Sequence, residues 1–191
     1  MKLASHNSWS YATPKKWWMK LIRFAARCQN VDIKTQYEQY GVRMFDLRLR
    51  FDINKTRNVV HGCVVYDIDV SDYYDVLNYL NNKKDVTVRV VLDIRNKRQN
   101  TVYQAERFYK ECDWLKAIFP NIKFTCGQNL LTREVVYDFR NTESCTEKYS
   151  SVNGTKLDDI YPRYYAKRNN HKNINTPIDT EFLMIDFVNI Q

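Results

Sequence analysis

At 191 residues, 27% charged and 14% aromatic, the chain fits one domain spanning residues 1–191 that can bury a core without disulfide staples, and its composition excludes a disordered polymer. A formal charge of +8 favours anionic partners, whether a phosphorylated substrate, a phospholipid surface or nucleic acid, without choosing among them. No run approaches the roughly 18 apolar residues of a transmembrane span, no period of about 20–50 residues repeats, and five cysteines without a C-x-x-C pair indicate neither a disulfide framework nor a zinc site.

Lys2 to Ser5 reads as a short strand ending in the polar His6-Asn7-Ser8. Pro14 then opens a helix over Lys15 to Cys28. Trp17, Leu21, Phe24 and Cys28 recur at helical spacing, and Lys16, Lys20, Arg23 and Arg27 repeat that spacing one residue earlier. With Trp18 beside it, this basic amphipathic stripe suits either an anionic membrane interface or a helix whose apolar side packs on the sheet. A second helix covers Ile33 to Tyr40, capped by Asp32 and ended by Gly41, which adopts positive φ readily.

Val42 to Phe51 alternates as a strand, with Asp46, Arg48 and Arg50 on one face and Phe45, Leu47, Leu49 and Phe51 on the other. A charged face on an interior strand needs a functional or ion-pairing reason. After a polar turn at Asn54 to Arg57, Asn58 to Val60 forms a short strand that delivers His61-Gly62. Helices are expected at Asp72 to Leu80 and Val102 to Phe119, and strands at Val86 to Ile94, Ile122 to Thr125, Glu134 to Phe139 and Phe182 to Val188. Lys167 to Asn175, which holds His171, reads as a solvated loop. Alternating strands and helices imply an α/β fold with a mostly parallel sheet.

In such folds ligands meet the carboxyl ends of the strands. His6, His61, Asp93 and Asp186 fall at or near predicted strand ends. Singly, each reads as readily as a capping or core residue. Together with Arg48 they supply what metal-free phosphodiester cleavage needs, two proton-transfer groups and a fixed cation.

The succession SHNS, then GVRMFDLRLR, then VVHG resembles the catalytic X region of phosphatidylinositol-specific phospholipases C, in the manner of the bacterial, metal-independent type. The resemblance implies a small, distorted TIM (β/α) barrel of the phospholipase C-like phosphodiesterase type, although six or seven strands are visible where a full barrel has eight. It implies catalytic roles for His6 as general base, Arg48 as phosphate ligand, His61 as general acid, Asp46 as the buried acid two positions before that arginine, and Asn7 beside the base. Asp186, in FLMIDFVN, matches the aspartate that orients the base. Two departures stand out. Asn7 replaces the aspartate of the metal-independent enzymes, as in calcium-dependent relatives, and leaves His61 without its expected support. Arg48 stands where those relatives place an acidic metal ligand, so a guanidinium takes the cation's role. Asp93 matches a calcium-ligand position and replaces a lysine of the bacterial enzymes. No cofactor is therefore expected, calcium or magnesium at Asn7, Asp46 and Asp93 being the minority alternative. Arg50, Asp93 and Lys167 are the candidate substrate ligands.

The implied activity is cleavage of a phosphodiester, a phosphoinositide or related glycerophospholipid, by internal attack of a neighbouring hydroxyl. Two alternatives stay open. One is a metal-dependent enzyme resembling glycerophosphodiesterases or sphingomyelinase D, whose Glu-x-Asp pair FDLR lacks. The other is a non-catalytic basic module for phosphoinositide or nucleic acid, with Tyr161, Tyr164 and Tyr165 among Arg163, Lys167 and Arg168 as a stacking platform. Nucleic acid is the less expected partner. The expected setting is a monomer in the cytoplasm or a host-cell cytosol, with peripheral membrane association. Nothing near Lys2 resembles a secretory signal, and secretion stays open.

Overall fold

The hydrophobic alternation read in the sequence becomes the two faces of a single sheet in the computed structural model, which describes residues 1–52, 56–94, 101–129 and 145–190. In chain order the elements are β1 (Lys2–Ser5), a tight helical turn (Ser8–Tyr11), α1 (Trp17–Leu21), α2 (Arg23–Ala26), α3 (Ile33–Glu38), β2 (Val42–Phe51), β3 (Arg57–His61), β4 (Val64–Val65), α4 (Val70–Asn81) and β5 (Thr87–Asp93). There follow α5 (Thr101–Ile118), β6 (Lys123–Asn129), β7 (Cys145–Glu147), α6 (Ser150–Asn153), α7 (Lys156–Ile160), α8 (Pro162–Asn175) and β8 (Phe182–Ile185).

Parallel strands lie in the order β6-β5-β2-β1-β8-β7, and the β3-β4 hairpin joins β2 in antiparallel register. Residues 130–144, between β6 and β7, lie outside the described set. The ten-residue β2 positions the site because it outruns its neighbours. β1 pairs with its first half, up to Ser5 opposite Phe45, and β3 with its last residues, Leu49 to Phe51. Running antiparallel, β3 carries His61 back towards the end of β1, where His6 follows.

On the outer face Phe45, Leu47, Leu49, Val88, Val90, Leu92, Leu183 and Ile185 pack with Leu77 and Leu80 of α4 and Phe108 and Leu115 of α5. Truncating one of the leucines or isoleucines to Ala costs about 2–5 kcal/mol, and one of the phenylalanines about 3–5 kcal/mol. The inner face begins with a small apolar cluster, Ala4, Met44, Phe182 and Met184 with Tyr149. One residue pair further along, the inward positions of β2 and β5 become Asp46 opposite Arg89.

Several expectations are corrected. Pro14 bridges to Tyr66 and opens no helix. The predicted helix to Cys28 is two single turns, each without a side-chain cap. Three of its four periodic residues are not packed inside, Trp17, Leu21 and Phe24 being 75%, 68% and 50% exposed, whereas the fourth, Cys28, is buried with Met19 and Ala26. Lys167 to Asn175 is helical, not a loop. Pro162 pre-sets the first turn of α8, Tyr165, Ala166 and Asn170 are buried, and Asn170 Nδ2 donates to the carbonyls of Asp186, Phe187 and Ile190. Those anchors supply what a polar, Asn-rich sequence lacks in propensity. β8 stops at Ile185, and Phe187 turns the chain at φ 49. α4 begins ahead of Asp72 because Asp69 caps it, accepting from Asp72 N. β4, β7, α6 and α7 were not anticipated. The strand expected at Glu134 to Phe139 and the turn residues Asn54 and Lys55 lie outside the described residues. Among those described, no helix is long and apolar enough to cross a membrane.

Candidate active site

His6 leaves β1 with its backbone N–H still on Ile185 O, and Asn7, in the left-handed region at φ 46, turns the chain away. The His6 ring is fixed on three sides. Its Nδ1 lies 2.7 Å from Asp186 Oδ1, its Nε2 lies 2.7 Å from Arg48 Nη2, and Tyr149 stacks on its face at 3.8 Å and 7°. A carboxylate only accepts and a guanidinium only donates. Nδ1 therefore carries the hydrogen and Nε2 presents a lone pair, the tautomer of a base. The second oxygen of Asp186 accepts from Ser150 N and Oγ at 3.0 and 2.8 Å. Burial works to raise the Asp186 pKa, but the charge His6 carries when protonated, its hydrogen bond and the donors on Ser150 outweigh it and hold the carboxyl below the usual range.

Arg48 is held in turn. Its Nε donates to Asp46 Oδ2 at 3.0 Å, and its Nη1 lies 4.0 Å from Asp93 Oδ2. Asp46 Oδ2 also accepts from Asn7 N. Complete burial pushes Asp46 up, yet Arg48 and then Arg89 overcome this and bring its pKa to about 2. Arg48 stays charged, since Asp46 and Asp93 more than offset its burial. A layer below, Arg89 Nη1 donates to Glu147 Oε1 at 2.7 Å, its Nε lies 3.9 Å from Asp46 Oδ1, and Glu147 accepts from Tyr149 OH.

His61 faces His6 edge-on, with ring centroids 5.8 Å apart at 87°. It stands at the end of β3, which runs antiparallel to β2. Its Nδ1 donates to Ala26 O at 2.8 Å, a carbonyl that also accepts from Tyr66 OH at 2.8 Å. That bond leaves Nε2 as the atom for proton transfer. Cys28 Sγ lies 3.9 Å from His61 Nδ1. The next residue, Gly62 at φ 59, donates its N–H to Asp93 Oδ2 and accepts from Arg50 Nη1, both at 2.9 Å.

The structure thus brings His6, Asn7, Asp46, Arg48, His61, Asp93 and Asp186 together. Arg50 and Asp93, read as substrate ligands, both hold the turn after His61. Lys167 is exposed on α8, and no described contact joins it to this cluster. The Asn7 side chain is buried, and neither its amide nitrogen nor its oxygen has a hydrogen-bond partner among the described residues. Sequence reasoning missed Arg89, Glu147, Tyr149 and Ser150. Arg89 did carry a signal, a cation within VTVRVVLD at the same parity as Asp93. The other three lie in a segment without periodicity.

No protein-family model and no curated protein matches the chain. Solved structures do match. A double mutant of the phosphatidylinositol-specific phospholipase C from Staphylococcus aureus aligns with a TM-score of 0.57 at 15% identity, covering 97% of this chain and 84% of that one. A single-site mutant of the same enzyme gives 0.57 at 15% identity over 97% and 85%, and a form carrying pentafluoro-Phe gives 0.54 at 14% over 97% and 85%. At such identity the likeness is one of fold, and it extends over nearly the whole chain. The chain has an α/β fold like that of these phosphatidylinositol-specific phospholipase C structures, with its described parallel strands in the order β6-β5-β2-β1-β8-β7.

Proposed function

We propose that the chain is a phosphodiesterase of phospholipase C type that cleaves a phosphodiester bearing a neighbouring hydroxyl without using a metal ion. The observation that carries this is His6, locked as a base between Asp186 and Arg48, with His61 facing it at 5.8 Å. A phosphate entering the site takes over the Arg48 Nη2 donor and frees the His6 Nε2 lone pair. His6 then removes the proton of the neighbouring hydroxyl, whose oxygen attacks phosphorus, while His61 Nε2 protonates the leaving alcohol. Arg48 holds the non-bridging oxygens, and Asp186 stabilises the imidazolium formed on His6. The product is a cyclic diester, which water opens with the two histidines in exchanged roles.

Arg48 lies between Asp46 and Asp93, amid the oxygens that the calcium alternative requires, and this supports the metal-independent reading. A phosphoinositide or related glycerophospholipid is the substrate class that best fits. The solved structures of this fold are named phosphatidylinositol-specific, and exposed Trp17, Trp18, Leu21 and Phe24 among Lys16 and Lys20 suit an anionic lipid surface. The test is turnover of phosphatidylinositol followed by phosphorus NMR. A cyclic phosphodiester should accumulate, and His6→Ala or His61→Ala should each lower kcat by about 10²–10⁴-fold. Wild-type turnover by either variant refutes the assignment.

A further inference from the structure

Cys28 takes no part in the chemistry above, yet its thiol lies beside both histidines. It is 1% exposed, and its backbone is held in place by Ser10 Oγ at 2.9 Å on its N–H and by Phe187 N at 2.6 Å on its carbonyl. One ring nitrogen of His6, one of His61 and Cys28 Sγ all lie within 4.8 Å of one another. Acid/base cleavage of a phosphodiester has no use for a thiol at that point.

We propose that His6, Cys28 and His61 form a binding site for a borderline-soft divalent cation, zinc being the reference ion, and that the bound ion switches the enzyme off. The inhibitory part rests on the function proposed above; the site itself does not. Two imidazoles and a sulfur are the donor set of zinc and its neighbours, whereas calcium and magnesium require oxygen. Three protein donors leave a fourth position for water or a phosphate oxygen, as in open zinc sites. With metal bonds of about 2.0–2.3 Å, tetrahedral donors sit about 3.3–3.8 Å apart. The resting cluster therefore closes by about 1 Å, within reach of side-chain rotation.

The surroundings favour a cation. His6 Nδ1 is committed to Asp186, so Nε2 is the donor and Asp186 is the carboxylate behind a metal-bound histidine. Asp46, Asp93, Asp186 and Glu147 outnumber Arg48, Arg50 and Arg89 around the site by one charge. Two contacts compete: Arg48 Nη2, 2.7 Å from His6 Nε2, which must swing aside as it must for substrate, and Ala26 O, which holds the His61 nitrogen that lies 3.9 Å from Cys28 Sγ, so that the His61 ring must turn to offer a donor. On binding, the S–H bond breaks, a sulfur–metal bond forms and the proton leaves to solvent, with no change of oxidation state. The ion then occupies the lone pair with which His6 takes a proton.

Titrating the full chain with Co²⁺ tests the site without reference to turnover. One ion per chain should bind with a near-ultraviolet thiolate-to-cobalt absorption that Cys28→Ser abolishes and that Cys63→Ser, at an exposed thiol, leaves in place. On the unmodified protein, zinc-edge X-ray absorption should show one sulfur at about 2.3 Å and two nitrogens at about 2.0 Å, which decides the matter even if Cys28→Ser fails to fold. Zinc should inhibit diester cleavage, a chelator should restore it, and Cys28→Ser should need at least about tenfold more zinc. Absence of the absorption band, its persistence in Cys28→Ser, or a zinc shell without sulfur overturns the proposal. Absence of any diesterase activity would overturn the proposed function and the inhibitory part, and leave the cobalt and X-ray results to judge the site.

Discussion

Asp186→Asn probes the mechanism at its most constrained contact. Asp186 is fully buried, and its oxygens accept from His6 Nδ1, Ser150 N and Ser150 Oγ. In the amide, the carbonyl stays with the two Ser150 donors and the NH₂ turns to His6 Nδ1. A donor now faces a donor, so His6 moves its hydrogen to Nε2, which then points at the donor Arg48 Nη2. The lone pair needed for catalysis is lost. The charge effect can be sized separately. With Nδ1 and Oδ1 2.7 Å apart, the imidazolium and carboxylate charge centres are about 4 Å apart, worth about 4 kcal/mol at an effective dielectric of about 20. At 1.36 kcal/mol per decade that is about 10³ in rate. Steady-state kinetics on a soluble inositol phosphodiester should therefore show kcat down about 10³-fold, with KM changed less than about threefold because no substrate contact is removed. Activity within about tenfold of the unmodified chain, or a loss confined to KM, would refute the base assignment.

Acid should weaken the fold in a defined window. Asp46, Asp186 and Glu147 all ionise more readily in the folded chain than an ordinary carboxylate. Their contribution is complete above the unfolded pKa and is lost as pH falls through the folded value. Urea midpoints should be flat above about pH 5 and fall below about pH 4, with Asp46, moved from 3.8 to about 2, accounting for about 2 kcal/mol; an unchanged midpoint between pH 5 and pH 2 would contradict this. Glu147→Ala leaves Arg89 buried without its 2.7 Å partner and should cost about 3–5 kcal/mol, whereas Arg89→Met with Glu147→Leu should recover only part of that loss, because it also takes from Asp46 the guanidinium 3.9 Å away. Equal losses in thermal melts of the two variants would sink that reasoning. Trp17→Ala with Trp18→Ala should weaken sedimentation with anionic vesicles by about tenfold or more, and unchanged sedimentation would remove the lipid surface from the reading.

The parts of the fold that local pattern dictates were legible. The alternation of Met44 to Phe51 placed the inward and outward side chains of β2, although a register irregularity before Met44 sends Val42 to the outer cluster, and Asp32 caps α3 on Thr35 N with Gly41 at φ 67 beyond it. What escaped depends on distant partners. α8 is secured by Asn170 reaching three carbonyls on and after Asp186, and nothing within KRNNHKNIN signals that. The stripe after Pro14 has helical period, but period alone does not say which side a protein will cover. Its large residues Trp17, Leu21 and Phe24 stay in solvent, and only its Cys28 goes inside, with Met19 and Ala26 from off the stripe. In the site, His6, Arg48, His61 and Asp186 stood in motifs. Tyr149 and Ser150 act only because β7 brings its following residues beside β8, a juxtaposition that their neighbours in sequence do not encode.

Asn7, the departure that left the proposed acid without a partner, is explained by its backbone. Its left-handed φ of 46 is a conformation that asparagine tolerates better than most residues, and its N–H, not its side chain, binds Asp46. His61 is oriented instead by the carbonyl of Ala26, shared with Tyr66 OH. The two histidines are thus backed by acceptors of different charge. A base is helped by a carboxylate behind it, because the proton it gains is then stabilised. For an acid a carboxylate acts both ways, keeping the ring protonated at higher pH but making the proton harder to give away. A neutral carbonyl fixes the ring and adds no such penalty. In the proposed first step this difference in backing favours His6 as base and His61 as acid, and it works in the reverse sense when their roles exchange in the second.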